Sequence, residues 1–320
     1  MNRDAITRDA VNGNAVNRRS GARSASISSL AFLLLVLCLL SSSCAPSHSN
    51  RIVIGSKNFT ESLMLGELLA QMIEARTHLK VERRFYLAGT YICQQAMLAG
   101  RIDLYPEYTG TALTAILKRK VSSDRTQVYR EVKNEYEKDF NFTLSPPFGF
   151  NDTFAMEIRG QDARRLHLQN LSQAAPYTPQ WRAGFGYEFT ERPDGYPGLA
   201  AAYGLHFASP PRVMDLGLLA PALKARQIDM AAGNATDGLI LAFDLFVLAD
   251  DRHYFPPYEA VAVIRQQTLQ QHPEVAAAAA SLAEKISDQD MQKMNYALDG
   301  QHRDAPEVAR EFLKSKGLLP

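Results

Sequence analysis

The segment Tyr105-Pro-Glu-Tyr108-Thr-Gly-Thr111 combines aromatic rings and hydroxyl groups and has clear binding chemistry. A tyrosine ring face attracts a weakly hydrated cation with about 0.5 to 2 kcal/mol when water is excluded. A quaternary ammonium group has no hydrogen to donate, so ring faces are a natural way to hold it. Taken alone, Tyr108 is more simply explained as a core or interface aromatic residue. The segment follows a predicted strand, and ligands of open α/β sheets bind beyond the carboxyl ends of strands.

Motifs for catalysis or metal binding are missing from the sequence. There is no Gly-x-Ser-x-Gly, His-Glu-x-x-His or phosphate-loop pattern, and no cysteine or histidine pair has metal-ligand spacing. Gly184-Phe-Gly186 begins like a dinucleotide loop, but Phe189 stands where the third glycine belongs. We therefore expect no cofactor and no metal, and a binding protein rather than an enzyme. An enzyme on a related scaffold is the least favoured alternative, and turnover of a candidate ligand would revive it.

Composition and charge narrow the class of protein further. The 320 residues are 46% hydrophobic and 22% charged, which is typical of a globular protein with room for two domains. Lys and Arg number 35 against 34 Asp and Glu. Because there is no basic excess to neutralise phosphates, nucleic acid is not an expected partner.

The N-terminal segment has the order of an export signal. An arginine-bearing polar region precedes the eleven-residue apolar run Leu30–Leu40, and small residues then lead to Cys44. The run is shorter than the about 20 residues that span a bilayer. The end of this segment resembles a bacterial lipoprotein signal, which predicts removal of residues 1–43, a lipid on Cys44 and a tether over 44–50. Simple secretion and an uncleaved anchor are the alternatives, because Ser41 stands where a large aliphatic residue is usual.

The rest of the chain alternates predicted strands and helices. Arg51–Ile54 is predicted as a strand, and Asn58-Phe-Thr-Glu61 as a helix start with a capping box. The continuing alternation predicts α/β architecture with parallel strands. Proline pairs near residues 146 and 256 predict two lobes with a cleft and two hinge crossovers between them. The predicted ranges are 51–153 and 257–320 for lobe I, and 154–256 for lobe II.

Six segments in order resemble one family over about residues 51–318. The sequence is similar to the glycine betaine/choline/carnitine-type osmoprotectant substrate-binding proteins of ABC importers. This resemblance implies the two-lobed periplasmic-binding-protein (type II) fold, a small-molecule ligand, an ABC permease as partner, a monomer, and a place in the periplasm or on the outer face of the cell membrane. The segments are Gly55-Ser-Lys57-Asn-Phe-Thr-Glu61, Ala88-Gly-Thr90, Ile102-Asp-Leu-Tyr-Pro-Glu-Tyr-Thr-Gly-Thr111, Asp194-Gly-Tyr-Pro-Gly198, Thr236-Asp-Gly238 and Phe255-Pro-Pro-Tyr258.

The resemblance also implies roles for particular residues. Tyr108 and Tyr258 fall on positions of an aromatic cage for a trimethylammonium group, and Thr111 on a hydroxyl beside it. Lys57 and Arg192 match positions that bind the ligand carboxylate. General chemistry agrees, because Lys57 lies just before a predicted helix N-terminus and an arginine can bind a carboxylate through two hydrogen bonds.

Two cage positions depart from the family pattern. Phe154 and Asn234 stand where tyrosines are usual, so the cage loses a hydroxyl and a ring. The loss weakens cation binding by about 1 to 2 kcal/mol unless a neighbour such as Tyr91 or Asp152 compensates. Asn234 either shapes a turn or recognises a polar group on a larger ligand. The predicted ligand is a quaternary ammonium compound. The alternative is another or larger cationic solute, such as a histidine-derived betaine, an amino acid or a polyamine, for uptake or sensing.

Overall fold

The structure is a computed structural model that describes residues 50–320, so the predicted export signal and Cys44 lie outside the described residues. The strands are β1 (Arg51–Lys57), β2 (Lys80–Ala88), β3 (Leu104–Tyr108), β4 (Phe142–Leu144), β5 (Phe154–Arg159), β6 (Ala183–Phe185), β7 (Arg212–Val213), β8 (Met230–Asn234), β9 (Leu245–Leu248) and β10 (Ala260–Arg265).

The helices alternate with these strands, and short π-helical and 3₁₀ segments supplement them at Ala112–Ile116, Ala175–Gln180 and Leu216–Leu218. The α-helices are α1 (Thr60–Arg76), α2 (Thr90–Leu98), α3 (Thr109–Thr111), α4 (Arg125–Phe140), α5 (Gly160–Leu166), α6 (Leu171–Ala174), α7 (Tyr187–Glu191), α8 (Tyr196–Tyr203), α9 (Leu219–Lys224), α10 (Leu239–Ala242), α11 (Gln266–Gln271), α12 (Glu274–Ala280), α13 (Asp288–Asp299) and α14 (Ala305–Ser315).

The strands form two five-stranded sheets, and the predicted α/β class is confirmed. The first sheet has the order β2-β1-β3-β10-β4 and the second the order β7-β6-β8-β5-β9. The chain passes from the first sheet to the second before β5 and returns before β10. We call the first sheet with α1–α4 and α11–α14 lobe I, and the second sheet with α5–α10 lobe II.

The parallel pairing that the alternation of strands and helices predicted is confirmed for β1, β2 and β3, but the two strands that follow a crossing run antiparallel to their neighbours. β1 pairs in parallel with β2 and β3, but β10 is antiparallel to β3 and β4. Likewise β5 is antiparallel to β8 and β9. In register, Ala260 at the start of β10 faces Tyr108 at the end of β3. Because the chain re-enters each sheet at the end where neighbouring strands finish, the re-entering strand must run the opposite way.

Helix α1 forms the centre of lobe I. It packs on β1 and β2 and is covered by α12, α13 and α14. The spacing of apolar residues from Leu65 to Ile73 predicts one buried face, but α1 is buried on more than one side because the sheet lies on one side of the helix and the C-terminal helices on another. Removing apolar surface from water is the main source of stability here, at about 25 cal/mol per Å². The α1 side chains with 0% exposure are Ser62, Met64, Leu65, Leu68, Leu69, Ala70, Met72 and Ile73.

The sequence pattern also predicts a helix over about residues 213–225, and this prediction was wrong in the first half of that range. Val213 belongs to β7, and Leu216–Leu218 forms a 3₁₀ turn before α9 begins. The Asp215 carboxylate accepts a hydrogen bond from the Gly217 N–H at 3.0 Å, which favours a turn over a continuous helix. Over residues 50–320, every helix is too short or too polar to cross a bilayer.

Candidate ligand-binding site

A cavity of about 740 Å³ lies between the two lobes, where the ends of several strands meet. We call it the main cavity. Strands β1, β3 and β8 end at it, while β5 and β10 begin beside it. The eight residues that the sequence nominated for ligand binding all line this cavity: Lys57, Tyr108, Thr111, Asp152, Phe154, Arg192, Asn234 and Tyr258. Tyr91, the possible compensating neighbour, lines it as well.

Tyr108 contributes a buried ring at the end of β3. Its hydroxyl donates a hydrogen bond to Glu61 Oε1 at 2.6 Å, and the Phe59 ring stacks beside it with centroids 6.3 Å apart. Burial, reinforced by the charge of Glu61, raises the pKa of Tyr108 well above its ordinary value. The hydroxyl therefore stays protonated and acts as a fixed donor, which orients the ring in the cavity wall.

Lys57 lies against this ring rather than free in the cavity. Its ammonium nitrogen is 2.5 Å from Glu107 Oε1, 3.3 Å from Thr90 Oγ1 and 4.5 Å from the centroid of the Tyr108 ring. Glu107 is fully buried and also accepts hydrogen bonds from the hydroxyls of Thr90 and Tyr105. The charge of Lys57 is thus neutralised within lobe I, a pairing that the sequence reasoning did not include.

Arg192 has the same kind of environment in lobe II. Its Nε and Nη2 atoms bind the two oxygens of Asp194 at 2.9 and 2.5 Å, and Tyr258 donates its hydroxyl to Asp194 at 2.6 Å. The guanidinium carbon lies 5.0 Å from the Phe154 ring centroid and 5.9 Å from that of Tyr258. Burial acts to raise the pKa of Asp194, but Arg192 outweighs burial and holds that pKa below its ordinary value.

Phe154 is the centre of an aromatic cluster at the start of β5. Its ring centroid lies 4.7 Å from that of Phe189, 5.5 Å from Phe255 and 5.4 Å from Tyr258. Phe189 also lines the main cavity. The sequence analysis did not predict this position, because Phe189 was considered only as the residue that replaces the third glycine of a dinucleotide loop. The cluster supplies apolar ring surface on the lobe II side where the tyrosine hydroxyl of the family pattern is missing.

A buried polar network joins the lobes beside Tyr108. The Thr236 hydroxyl is within hydrogen-bond distance of Glu61 and of Asp152 Oδ1, the latter at 2.7 Å. Asn295 Nδ2 donates to Glu61 Oε2 and to the Thr236 carbonyl, each at 2.9 Å. Burial raises the pKa of both carboxyls, and for Asp152 the charge of Glu61 adds to it. A hydroxyl has one proton to donate, so Thr236 can donate to only one of the two carboxyls, and their raised pKa values favour a proton on the other.

This network corrects the predicted role of Glu61. The sequence pattern suggested that Glu61 closes a capping box, but α1 begins at Thr60 and its N-cap residue Phe59 makes no side-chain capping bond. The Glu61 carboxyl instead turns inward to Tyr108 and Thr236, the latter 175 positions away in the sequence. No local signal reveals such a contact.

A second contact between the lobes lies at the start of α2. Glu188 of α7 accepts a hydrogen bond from the Tyr91 N–H at 3.2 Å. A Cβ atom on Gly89 would overlap the Glu188 carboxyl group, so only glycine permits this approach. A carboxylate also interacts favourably with the positive end of the helix dipole. This contact and the network around Thr236 both bridge the lobes beside the main cavity.

The arrangement is suited to binding rather than to catalysis. Two compensated ion pairs, Lys57 with Glu107 and Arg192 with Asp194, lie against aromatic rings. Cys93 is buried, and burial raises the pKa of its thiol to about 12, so it is not a nucleophile at neutral pH. Across residues 50–320, no group of three histidine, cysteine or acidic side chains is arranged to hold a metal ion.

Comparison with known proteins gives consistent matches over the described part of the chain. The OpuAC model, described as the substrate binding domain of ABC-type glycine betaine transport system, matches residues 50–315. The carnitine transport binding protein OpuCC of Listeria monocytogenes is 35% identical over 297 residues, which are 90% of this chain and 96% of that protein. The ergothioneine transport permease/ergothioneine binding protein EgtU of Helicobacter pylori (strain G27) is 33% identical over 83% of this chain, a match that spans 48% of that longer protein.

A solved structure agrees with the sequence matches. The crystal structure of a glycine betaine/carnitine/choline ABC transporter superposes with a TM-score of 0.69 at 34% identity. The superposition covers 83% of this chain and 99% of that one.

Proposed function

Because the chain belongs to the OpuAC family of substrate-binding domains of ABC-type glycine betaine transport systems, we propose that it captures a quaternary ammonium compound in the main cavity. The family is one of periplasmic or extracellular binding proteins with the type II fold, which bind a small molecule and work with an ABC permease. Its members are components of transport systems and not enzymes.

The observation that carries the proposal is the gathering of rings from both lobes around one cavity. Tyr108 comes from lobe I, Phe154 opens the strand that enters lobe II, and Tyr258 opens the return to lobe I. Each ring has one protein cation near it, and a buried carboxylate neutralises that cation. A methylated nitrogen can therefore approach these rings without meeting an uncompensated positive charge.

The anionic end of a zwitterionic ligand needs hydrogen-bond donors beside the cage. Arg192 uses only Nε and Nη2 for bonds to residues 50–320, which leaves Nη1 for a ligand carboxylate. Lys57 and the Thr111 hydroxyl supply further donors in the same cavity wall. In the proposed complex Tyr108, Phe154 and Tyr258 hold the cation, and Lys57, Arg192 and Thr111 hold the anionic end.

A second candidate is a larger betaine, and the volume of the cavity favours it. At about 740 Å³ the main cavity is in the upper part of the range of about 300 to 1,000 Å³ that is usual for drug-sized ligands. Asn234 offers an amide in the cavity wall, and Asp152 a carboxyl group. The similarity to a protein named for ergothioneine binding is consistent with a histidine-derived betaine.

A thermal-shift screen of the purified mature chain tests both candidates. Glycine betaine, choline, carnitine, proline betaine and histidine betaine are each added over a range of concentrations, and histidine and a polyamine serve as the unmethylated comparison compounds. A ligand that binds only the folded state raises the free energy of unfolding by mass action, by about 2.7 kcal/mol at a hundredfold excess over Kd. The melting temperature rises with it. No shift with any methylated ammonium compound, alongside a shift with an unmethylated amino acid or polyamine, would contradict the proposal.

We further propose that residues 1–43 are an export signal, that Cys44 carries a lipid, and that the mature protein is a monomer. Cys44→Ser is expected to release the protein from cell membranes into the soluble exported fraction. Light scattering of the released protein measures its mass, and a dimer would refute the monomer. Membrane retention of the Cys44→Ser variant would refute the lipid anchor.

A further inference from the structure

A second cavity of about 110 Å³ adjoins the main cavity. We call it the side cavity. The two share four lining residues, Asn58, Phe59, Leu216 and Asn234, so they are continuous past the end of β8. Alternate residues of a strand face opposite sides of its sheet, and so Glu157 lies on the other face of the second sheet from Phe154. The side cavity therefore reaches around the sheet edge to a surface that the aromatic cage does not use.

The charged residues that line the side cavity are all acidic. Four carboxyl groups face it, and no lysine, arginine or histidine of residues 50–320 does. Thr60 donates its hydroxyl to one of them, Asp299, at 2.6 Å. The carboxyl groups are Glu61, Glu157, Asp237 and Asp299.

Two buried acceptors in this lining have no donor. Glu157 is 1% exposed and its Oε1 atom has no hydrogen-bond partner among residues 50–320, and the same holds for Oδ1 of Asn295, which is 3% exposed. A buried acceptor left without a donor costs about 1 to 3 kcal/mol. Both residues line the side cavity, so donor groups placed there could satisfy them.

The carboxyl groups also disfavour one another's ionisation. Burial, with the nearby charge of Asp237, raises the pKa of Glu157 well above its ordinary value. Burial likewise raises the pKa of Asp237 to about 6, with a contribution from the charge of Asp299. A positive or strongly donating group would relieve this repulsion. Because no three acidic groups of the described chain are spaced to hold a metal ion, directional N–H bonds fit the lining better.

We propose that the side cavity binds an N–H-bearing group of the ligand, such as an imidazole or ammonium, while the methylated nitrogen of the same ligand occupies the main cavity. This inference rests on the proposed function and narrows its substrate class to betaines or methylated amino acids with a second nitrogen. Choline and glycine betaine lack an N–H group and would leave the side cavity unused.

Isothermal titration of the mature chain with four probes tests this inference. Histidine betaine and trimethyllysine carry an N–H group besides the methylated nitrogen, whereas glycine betaine and choline do not. We expect Glu157→Gln to weaken at least one N–H-bearing probe about tenfold or more, and to change glycine betaine and choline less than twofold. Asp237→Asn is expected to act in the same direction. Glu191→Gln, outside both cavities, is the matched control.

The outcomes distinguish failure of the side-cavity inference from failure of the proposed function. If wild-type protein binds choline or glycine betaine but neither N–H-bearing probe, or if both variants weaken all probes equally, the side-cavity inference is wrong and the proposed function stands. If wild-type protein binds no methylated ammonium compound, the proposed function itself fails. Thermal melts of the variants verify folding, and Asp237→Asn serves if Glu157→Gln does not fold.

Discussion

Arg192→Met removes a guanidinium that is 4% exposed and is paired with the fully buried Asp194. The same side chain lies against the rings of Phe154 and Tyr258, so the substitution tests whether Arg192 stabilises the fold, binds the ligand, or does both. Asp194→Asn is the complementary single variant, and the double variant completes a thermodynamic cycle. Methionine keeps much of the length and the apolar stem of arginine.

The expected loss of stability follows from the charge left behind. Removing one partner of a buried ion pair costs about 3 to 5 kcal/mol, because the other charge stays desolvated. At about 3 kcal/mol the melting temperature would fall by roughly 6 to 12 °C for a domain of this size. Tyr258 still donates to Asp194, which favours the lower end of the range. The double variant should be more stable than the sum of the single losses by at least about 2 kcal/mol.

Ligand titration separates the binding role from the structural role. If Nη1 of Arg192 binds the ligand carboxylate, losing a charged hydrogen bond of about 1.5 to 3 kcal/mol weakens glycine betaine roughly 10- to 100-fold. Choline has no carboxylate, so its affinity should change less than threefold in the double variant. Urea unfolding followed by far-UV circular dichroism gives the stabilities.

Two results would contradict the expected roles of Arg192. Single losses that simply add in the double variant would mean that Arg192 and Asp194 are not energetically coupled. Equal losses of choline and glycine betaine affinity would mean that Arg192 orders the aromatic cluster and does not contact the carboxylate.

Three further predictions concern other parts of the site. The pKa of Asp237 rises from 3.8 to about 6 on folding, so the native state loses about 3 kcal/mol of stability as the pH rises between these values. Asp237→Asn should therefore raise the melting temperature at pH 8 and not at pH 3.5. A gain of equal size at both pH values would be contrary evidence. Gly89→Ala forces Glu188 away from α2 and should weaken ligand binding at least tenfold with little change in melting temperature. The Gly89→Ala, Glu188→Ala double variant should recover part of the affinity. Full affinity in Gly89→Ala would show that this contact between the lobes does not matter for ligand binding. Tyr108→Ala should weaken binding at least tenfold in calorimetry if its ring supplies about 1.4 kcal/mol, and unchanged affinity would remove Tyr108 from the site.

Strand-end position and family resemblance together nominated the site residues. Ligands of open α/β sheets bind beyond the carboxyl ends of strands, so Tyr108 at the end of a predicted strand was expected near a ligand. The family resemblance, and not strand spacing, assigned Lys57 and Phe154 to the same site. The alternation of elements and the proline pairs likewise predicted an α/β chain with two crossings, because these features depend on local backbone preferences and spacing. The aromatic and hydroxyl content of the segment from Tyr105 to Thr111 is compatible with cation binding, but the resemblance of six segments to one family indicated the kind of ligand.

The partners of those residues depend on the tertiary structure. Lys57 pairs with Glu107 and Arg192 with Asp194, so the two predicted anion binders are compensated cations lying on rings. Glu61 was expected to cap a helix but reaches Thr236 across 175 positions, and Glu157 lies in a cavity that no sequence pattern marked. Such pairings are set by how buried side chains satisfy one another between distant segments. Local propensity carries no information about them, since hydrogen bonds and charges select partners only after the core has placed the strands and helices.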